Sequence, residues 1–267
     1  MPDQPLITLA LPYYNEAGFI GATLRSLAAQ TDRRFRLVLI DNGSTDGSEV
    51  IARAACEDML DIGVSFVSEA KPGKIHALIA GTAIVETPYL GTIDADTIYP
   101  PGYVAQALDL LAQNPQASCA LAFGLDSQGR HTFQRFKLRV FSLVFPRKCH
   151  TGGYAQVFDA AAFRRGGGFD VNRWPHVLED HEIVHRLLQY GPALYCGGFE
   201  CYPSDRRQDR SSCSWSLMER VLYKVLPSPL MDWFFYRFLG PRLAGRGLGN
   251  LRLRERDWQS DDRSGSG

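Results

Sequence analysis

The chain has 267 residues and carries 29 basic and 29 acidic side chains, so its formal net charge is zero. Its 45% hydrophobic content is ordinary for a globular protein with a substantial core, and its neutrality gives no general attraction for nucleic acid. The six cysteines form no CxxC pair, no signal-peptide pattern opens the chain, and no apolar run is as long as the roughly 18 residues of a membrane span. We therefore expect reduced thiols, a cytoplasmic location and no nucleic-acid partner.

Strand-like and helix-like segments alternate over the first 125 residues. The strand candidates are Leu6–Leu11, Phe35–Ile40, Gly63–Val67, Tyr89–Ile93 and Ala117–Phe123. The helical segments are residues 20–28, Asp46–Met59, Gly73–Val85 and Gly102–Gln113. Such alternation predicts an α/β fold with a mostly parallel sheet flanked by helices.

The rest of the chain is predicted to be more helical. Apolar residues from Phe133 to Val144 recur on one helical face, a glycine-rich stretch follows, and a further helix covers Leu178–Tyr190. Beyond residue 200 the sequence becomes rich in arginine and aromatic residues, with two apolar helical segments divided by prolines. We therefore divide the chain into a main domain (1–200), a C-terminal helical extension (201–259) and a disordered tail (260–267).

Polar residues follow three of the strands that are predicted to be parallel. The first strand is followed by Asn15 and Glu16, the second by Asp41, and the fourth by Asp94 and Asp96. The carboxyl ends of parallel strands share one edge of the sheet, where ligands of open α/β sheets bind. Carboxylate oxygens suit Mg²⁺ or Mn²⁺, which also bridge to substrate phosphates. This edge is therefore a candidate metal and phosphate site, although each cluster alone also fits a turn or a helix cap.

Lys74 lies where the third helix is predicted to begin. A helix N-terminus attracts anions, and a lysine there adds a positive charge that could face phosphate. A solvated residue at the start of the helix is the other interpretation. The chain has no Walker A sequence and no GxGxxG, so neither an ATPase nor a dinucleotide enzyme is indicated.

Four sequence stretches resemble family 2 glycosyltransferases of the GT-A fold and follow the order of that family. They are residues 7–16 (ITLALPYYNE), 39–48 (LIDNGSTDGS), 94–97 (DADT) and 178–182 (LEDHE). The resemblance covers about residues 5–195. It implies a nucleotide-sugar half near residues 1–125 and an acceptor half near 126–200.

The resemblance also implies roles for individual residues. The donor nucleotide sugar would be bound by residues of the predicted edge, namely Pro12, Tyr14, Glu16, Asp41, Asn42, Lys74, Asp94 and Asp96. Asp94 would lie near ribose and metal, and Asp96 would ligate the Mg²⁺ or Mn²⁺ that holds the diphosphate. Asp180, next to Glu179, would be the base of an inverting transfer to an acceptor hydroxyl. We expect its like-charge neighbour to raise the pKa of Asp180.

Two departures from the family pattern bear on the substrate. Asn42 replaces an aspartate with which many members read uracil, so UDP, dTDP and GDP donors all stay open. The QxxRW signature of processive synthases is absent, and the nearest basic stretch, Arg206–Arg210, lacks the tryptophan. The resemblance thus implies a non-processive enzyme acting on a glycan or lipid-linked acceptor, in bacterial surface glycan or glycolipid synthesis.

Other interpretations stay open. Glu179 and Asp180 could only stabilise a helix N-terminus, and the chain could be a catalytically idle nucleotide-sugar-binding or scaffold module. His181, Glu182 and His185 match the zinc-protease pattern HExxH, with Glu200 as a third candidate ligand, and we regard this as a remote alternative. The C-terminal extension could pack on the main domain or place the protein peripherally on an anionic membrane at the inner face of the cell.

Overall fold

The computed structural model describes residues 4–57, 59–125, 131–204 and 215–251. Its larger sheet consists of β1 (Ile7–Tyr13), β2 (Phe35–Asp41), β3 (Gly63–Ser68), β4 (Tyr89–Thr92), β6 (Cys119–Leu121), β8 (Gln156–Asp159) and β9 (Ala193–Leu194). The strand order is β3-β2-β1-β4-β8-β6-β9. A smaller sheet consists of β5 (Thr97–Ile98), β7 (Phe123–Gly124) and β10 (Glu200–Pro203), and β10 lies between the other two strands.

Helices cover both faces of the larger sheet. Those of the first half are α1 (Ile20–Ala28), α2 (Ser48–Cys56), α3 (Lys74–Thr82) and α4 (Tyr103–Gln113). Those of the second half are α5 (His131–Val144), α6 (Ala160–Arg165), α7 (Glu179–Leu187), α8 (Leu217–Val225) and α9 (Gly240–Gly245), with a π-helical segment over Trp233–Leu239. Within the described ranges, none of these helices has the length and apolar character needed to cross a membrane.

The predicted convergence of strand ends is confirmed. β1 pairs in parallel with β2 and with β4, so that Tyr13 lies opposite Asp41 and Ala10 opposite Thr92. The loops that follow these three strands therefore leave the same edge of the sheet. Alternate residues of β1 and β2 enter two separate apolar clusters, which shows that the sheet is buried on both faces.

Two details of the second half differ from the prediction. The strand predicted over Ala117–Phe123 is observed as β6 and β7, because the chain leaves the larger sheet after Leu121. β8 was not predicted, and it runs antiparallel between β4 and β6. Its four residues, QVFD, are too short a pattern to mark a strand, and its place is fixed by pairing with β4 and β6.

The C-terminal helices form a third apolar cluster with the segment that precedes α7. Trp174 and Val177 contribute to this cluster together with Tyr223, Phe234 and Phe235 of the C-terminal part. The inner faces of these helices therefore pack on the main domain. The predicted domain boundary at residue 200 falls in β10, whereas the stretch Arg206–Arg210 and the predicted tail 260–267 lie outside the described residues.

Candidate active site

The loops after β1 and β2 are joined by hydrogen bonds. Asn15, at a positive φ of 53°, donates its backbone N–H to Ser44 Oγ over 3.1 Å and accepts the Thr45 N–H on its side chain over 2.8 Å. The Asp46 carboxylate accepts the Ala17 N–H over 3.0 Å and the Ser48 N–H over 3.0 Å. Asp46 therefore holds the first loop as well as the start of α2. The two loops form one preorganised wall of the candidate site.

The residues expected to surround a nucleoside lie along this wall. Pro12, Tyr14 and Glu16 are partly exposed at the edge of the sheet. Asp41 ends β2, is partly buried, and accepts the Ser44 N–H over 2.9 Å. These residues lie at the edge where β1 and β2 end, and their contact with a nucleoside stays a prediction.

Asn42 is only 4% exposed, and its side chain holds the loop before α3. Its amide nitrogen donates to the Glu69 and Lys71 carbonyls over 2.9 and 2.8 Å, and its oxygen accepts the Gly73 N–H over 2.8 Å. This bonding fixes Gly73 at a φ of 120°, which an L side chain rarely adopts. Asn42 therefore holds the loop that leads to Lys74. Because its side-chain amide is already engaged in these three hydrogen bonds, it has little hydrogen-bonding capacity left for a nucleobase.

The two carboxylates that follow β4 are buried. Asp94 is 8% and Asp96 is 5% exposed. The Asp94 N–H donates to the Tyr99 hydroxyl over 3.0 Å, and that hydroxyl donates to the Tyr154 carbonyl over 2.8 Å. Asp96 Oδ2 accepts the Ser204 hydroxyl over 3.1 Å, so the residue that directly follows β10 supports the second carboxylate.

Lys74 connects the two halves of the site. Its Nζ lies 3.1 Å from Asp94 Oδ1 and 3.4 Å from Glu179 Oε1. The side chain of Lys74 is 24% exposed, so this ammonium group is not simply solvated. One cation therefore joins the carboxylate after β4 to the first residue of α7.

Asp180 is held in one orientation at the start of α7. Its Oδ2 accepts the Gly153 N–H over 2.7 Å, and its Oδ1 lies 2.8 Å from the His181 backbone nitrogen and 2.9 Å from His181 Nδ1. Gln156 of β8 donates its side-chain amide to the Asp180 carbonyl over 3.1 Å. The unpredicted β8 and the turn before it thus orient the predicted base.

The pKa values of Glu179 and Asp180 shift in opposite directions. Burial raises the pKa of Glu179, and Lys74 offsets part of this effect. Burial also acts to raise the pKa of Asp180, but His181 and Lys74 favour its charged form, and the net pKa is lowered. The expectation that a like-charge neighbour raises the pKa of Asp180 is therefore wrong. The sequence alone did not show that the side chains of His181 and Lys74 lie beside this carboxylate.

The side chains of the HExxH pattern are engaged in separate interactions. Glu182, 1% exposed, pairs with Arg186 Nε over 2.8 Å, and His185 Nε2 lies 2.7 Å from Asp232 Oδ1. Glu200 pairs with Arg135 over 2.8 Å. Across the described parts of the chain, no group of three or more His, Cys, Asp or Glu residues is arranged to hold a metal. The zinc-protease interpretation therefore has no support in this geometry.

Among the described residues that support the site, five were not singled out from the sequence: Tyr99, Gly153, Gln156, Ser204 and Asn250. Only Gly153 carried a visible signal, because it belongs to the pair Gly152-Gly153 in the glycine-rich stretch. Asn250 accepts the Ile75 N–H over 3.1 Å although the two residues are 175 positions apart. Contacts between residues so far apart produce no recognisable pattern in a single sequence.

Residues 8–169, more than half of the chain, match the sequence model of the family described as Glycosyl transferase family 2. The chain therefore belongs to glycosyltransferase family 2, and it is an enzyme of the glycosyltransferase class with the GT-A fold. The matched range contains Asp41, Asp94 and Asp96 and ends before Glu179 and Asp180.

Individual relatives agree with this assignment. The chain is 30% identical to validoxylamine A glucosyltransferase of Streptomyces hygroscopicus subsp. jinggangensis (strain 5008), over 97% of this chain and 69% of that protein. A mannosyltransferase of Pyrobaculum calidifontis in complex with GDP-Man and Mn²⁺ has a similar structure, with a TM-score of 0.69, 20% identity, and coverage of 92% of this chain and 76% of that one. S. aureus TarS in complex with UDP-GlcNAc gives a TM-score of 0.61 at 18% identity, with coverage of 89% and 72%.

Proposed function

We propose that this chain is a metal-dependent, inverting glycosyltransferase that moves one sugar from a nucleotide-sugar donor to an acceptor hydroxyl. The observation that carries this proposal is the position of Lys74 between Asp94 and Glu179, at 3.1 and 3.4 Å. It links the edge that would hold the donor to the helix that carries the predicted base. An idle binding module would have no need of an oriented carboxylate such as Asp180 beside the donor edge.

The donor would lie along the ends of β1, β2 and β4. Its nucleoside would lie near Pro12, Tyr14, Glu16 and Asp41, which line the wall formed by the first two loops. GDP-Man and UDP-GlcNAc are the ligands of the two similar structures. Since the Asn42 amide is directed to the loop before α3, the nucleobase of the donor would be recognised by other groups of this wall. UDP, dTDP and GDP sugars therefore all remain candidate donors.

The chemistry of Asp94 and Asp96 fits a bound Mg²⁺ or Mn²⁺. Both are buried carboxylates with hard oxygen donors, and these cations usually take one or two protein carboxylates and complete their shell with phosphates and water. When bound, such a cation would offset the charge that grows on the departing diphosphate. Lys74 adds a positive charge of the protein itself beside Asp94.

Asp180 would act as the base. In the transfer, the acceptor oxygen forms a bond to the anomeric carbon, the bond from that carbon to the diphosphate oxygen breaks, and the hydroxyl proton passes to Asp180. Attack from the side opposite the diphosphate inverts the anomeric configuration. The lowered pKa keeps Asp180 ionised at neutral pH, and the bonds from Gly153 and His181 keep its orientation.

The acceptor would be a glycan or a lipid-linked saccharide of bacterial surface glycan or glycolipid synthesis, on the cytoplasmic side of the membrane. A panel of nucleotide sugars with Mn²⁺, measured by thermal shift, would identify the donor, because a tight ligand stabilises the folded state by mass action. NMR of the glycosylated acceptor should then show an anomeric configuration opposite to that of the donor. Retention of configuration, or the absence of any stabilising nucleotide sugar, would contradict the proposal.

A further inference from the structure

Helix α5 exposes a continuous apolar stripe. The side chains of Phe136, Val140, Leu143 and Val144 are 64%, 39%, 74% and 60% exposed. With 3.6 residues per turn, these four positions lie on one face of the helix. Exposed apolar residues that occur singly need no explanation, whereas a contiguous stripe marks an interaction surface.

Helix α8 carries a second stripe beside the first. Its exposed apolar residues, at 79%, 51%, 52% and 64%, are Leu217, Met218, Val221 and Val225. The two helices are neighbours, since Lys224 Nζ of α8 lies 4.2 Å from the centre of the Phe141 ring of α5. We name the surface formed by these two stripes the α5–α8 face.

Among the described residues of α5 and α8, the exposed charges that border the α5–α8 face are positive. Lys137 and Arg139 flank the stripe of α5 on its two sides, and Arg220 and Lys224 border that of α8. Helix α5 contains no acidic residue, and the one acidic residue of α8, Glu219, is 1% exposed and caps its own helix. Burial, followed by the charges of Lys137 and Arg220, lowers the pKa of Lys224, which agrees with a local excess of positive charge.

The inner side of α8 lies next to the candidate base. The buried Tyr223 ring is centred 5.7 Å from the His181 ring, and His181 Nδ1 lies 2.9 Å from Asp180 Oδ1. One helix therefore contributes its outer residues to the α5–α8 face and its inner residues to the surroundings of Asp180. The α5–α8 face is therefore separated from the surroundings of Asp180 by the width of one helix.

We propose that the α5–α8 face binds an anionic lipid membrane, with its apolar stripes in the headgroup region and its basic side chains against lipid phosphates. The acceptor is then a lipid-linked saccharide presented at that membrane, an inference that rests on the glycosyl transfer proposed above. A second copy of the chain is a poor occupant, because a two-fold interface would bring the basic side chains Lys137 and Arg139 against those of the partner.

Vesicle flotation of the full chain, without donor or acceptor, tests the inference. The wild type should float with phosphatidylcholine vesicles that contain phosphatidylglycerol and not with phosphatidylcholine alone. The double variant Leu143→Glu/Val221→Glu should reduce flotation by at least about tenfold, because it removes two exposed apolar anchors. Val50→Glu/Leu60→Glu, which alters two residues 72% and 94% exposed on α2 and in the loop before β3, is the matched control and should float like the wild type.

The basic side chains provide a second variant. Lys137→Gln/Arg139→Gln should weaken binding to anionic vesicles by about 25-fold, at roughly fivefold for each charge lost. Equal flotation of all variants, or a wild type that does not bind anionic vesicles, would overturn the inference. So would a dimer in sedimentation that Leu143→Glu/Val221→Glu converts to a monomer without any change in flotation. Because flotation requires no sugar nucleotide, its failure is distinct from a failure of donor binding in the thermal-shift panel.

Discussion

Asn250 accepts the backbone N–H of Ile75 on its side-chain oxygen over 3.1 Å. Ile75 lies in the first turn of α3, whose first residue is Lys74, so this bond supplies a cap that Gly73 has no side chain to provide. The Asn250 N–H also donates to the Pro175 carbonyl over 2.9 Å. The C-terminal part thus fixes the helix start that carries Lys74 and the segment that leads to α7.

Replacing this cap should affect both stability and donor binding. Asn250→Ala removes the bond to Ile75 and is expected to lower the free energy of unfolding by about 1 kcal/mol. It should also weaken donor binding severalfold, because Lys74 lies in the turn that loses its cap. Urea unfolding and donor titration measure the two effects, with the exposed Asn172→Ala as control. Unchanged donor affinity would show that the position of Lys74 does not depend on the cap.

Gly153 leaves little room beside the candidate base. A Cβ at this position would lie 3.2 Å from Lys74 Nζ and 3.4 Å from Asp180 Cβ. Gly153→Ala should therefore displace the flexible end of Lys74 and lower the transfer rate by about tenfold, an order typical of a small misplacement at a site that depends on positioning. Gly245→Ala, where a Cβ meets open space, is the control for initial-rate measurements. A wild-type transfer rate for Gly153→Ala would show that the reaction does not depend on the space beside this turn.

The sequence was sufficient to predict the first half of the fold. The apolar runs that became β1, β2 and β4 are long enough to identify, and their parallel pairing brings Asp41 and Asp94 to one edge of the sheet. The strand ends converge as predicted, while the roles of the individual residues in binding and catalysis stay predictions.

The second half could not be predicted in the same way. β8 has four residues, and its position depends on pairing with β4 and β6. The contact of Gly153 with Asp180 spans 27 positions. The direction of the Asp180 pKa shift depends on the positions of His181 and Lys74 in the folded protein. The expectation from the sequence considered only the adjacent Glu179 and therefore gave the opposite direction.

The raised pKa of Glu179 predicts a pH-dependent difference in stability. Burial raises its pKa above 4.5, although Lys74 offsets part of the shift, so the folded protein holds this proton more tightly than the unfolded chain does. The stability that protonation contributes is complete below pH 4.5 and is lost as the pH rises through the folded-state pKa.

Glu179→Gln cannot lose a proton there. In metal-free protein without donor, its free energy of unfolding relative to the wild type should rise from pH 4.5 upward and level off above the folded-state pKa. Urea unfolding across acidic and neutral pH measures this difference, with the exposed Glu86→Gln correcting for the loss of one charge. A difference that falls as the pH rises would contradict the direction of the shift.

Replacing Asp96, the second buried carboxylate, should remove metal-dependent donor binding while the protein still folds. Asp96→Ala is expected to abolish the extra stabilisation that the donor and Mn²⁺ give together, because the protein loses one of its two candidate ligands. Thermal shift with and without Mn²⁺ measures the effect. Asp109→Ala on α4, at an exposed position, should respond like the wild type. Full Mn²⁺-dependent stabilisation of Asp96→Ala would show that the donor is held by other groups.

The central claim, that Asp180 takes the acceptor proton, is tested most directly by comparing transfer rate and donor affinity in Asp180→Asn. Asparagine retains the size of the side chain and an oxygen for the Gly153 N–H, but it cannot act as the base. We predict a donor dissociation constant close to that of the wild type and a transfer rate lower by about 100-fold or more. Glu179→Gln, its neighbour on α7, should lose less of the rate. A wild-type rate for Asp180→Asn would contradict the assignment.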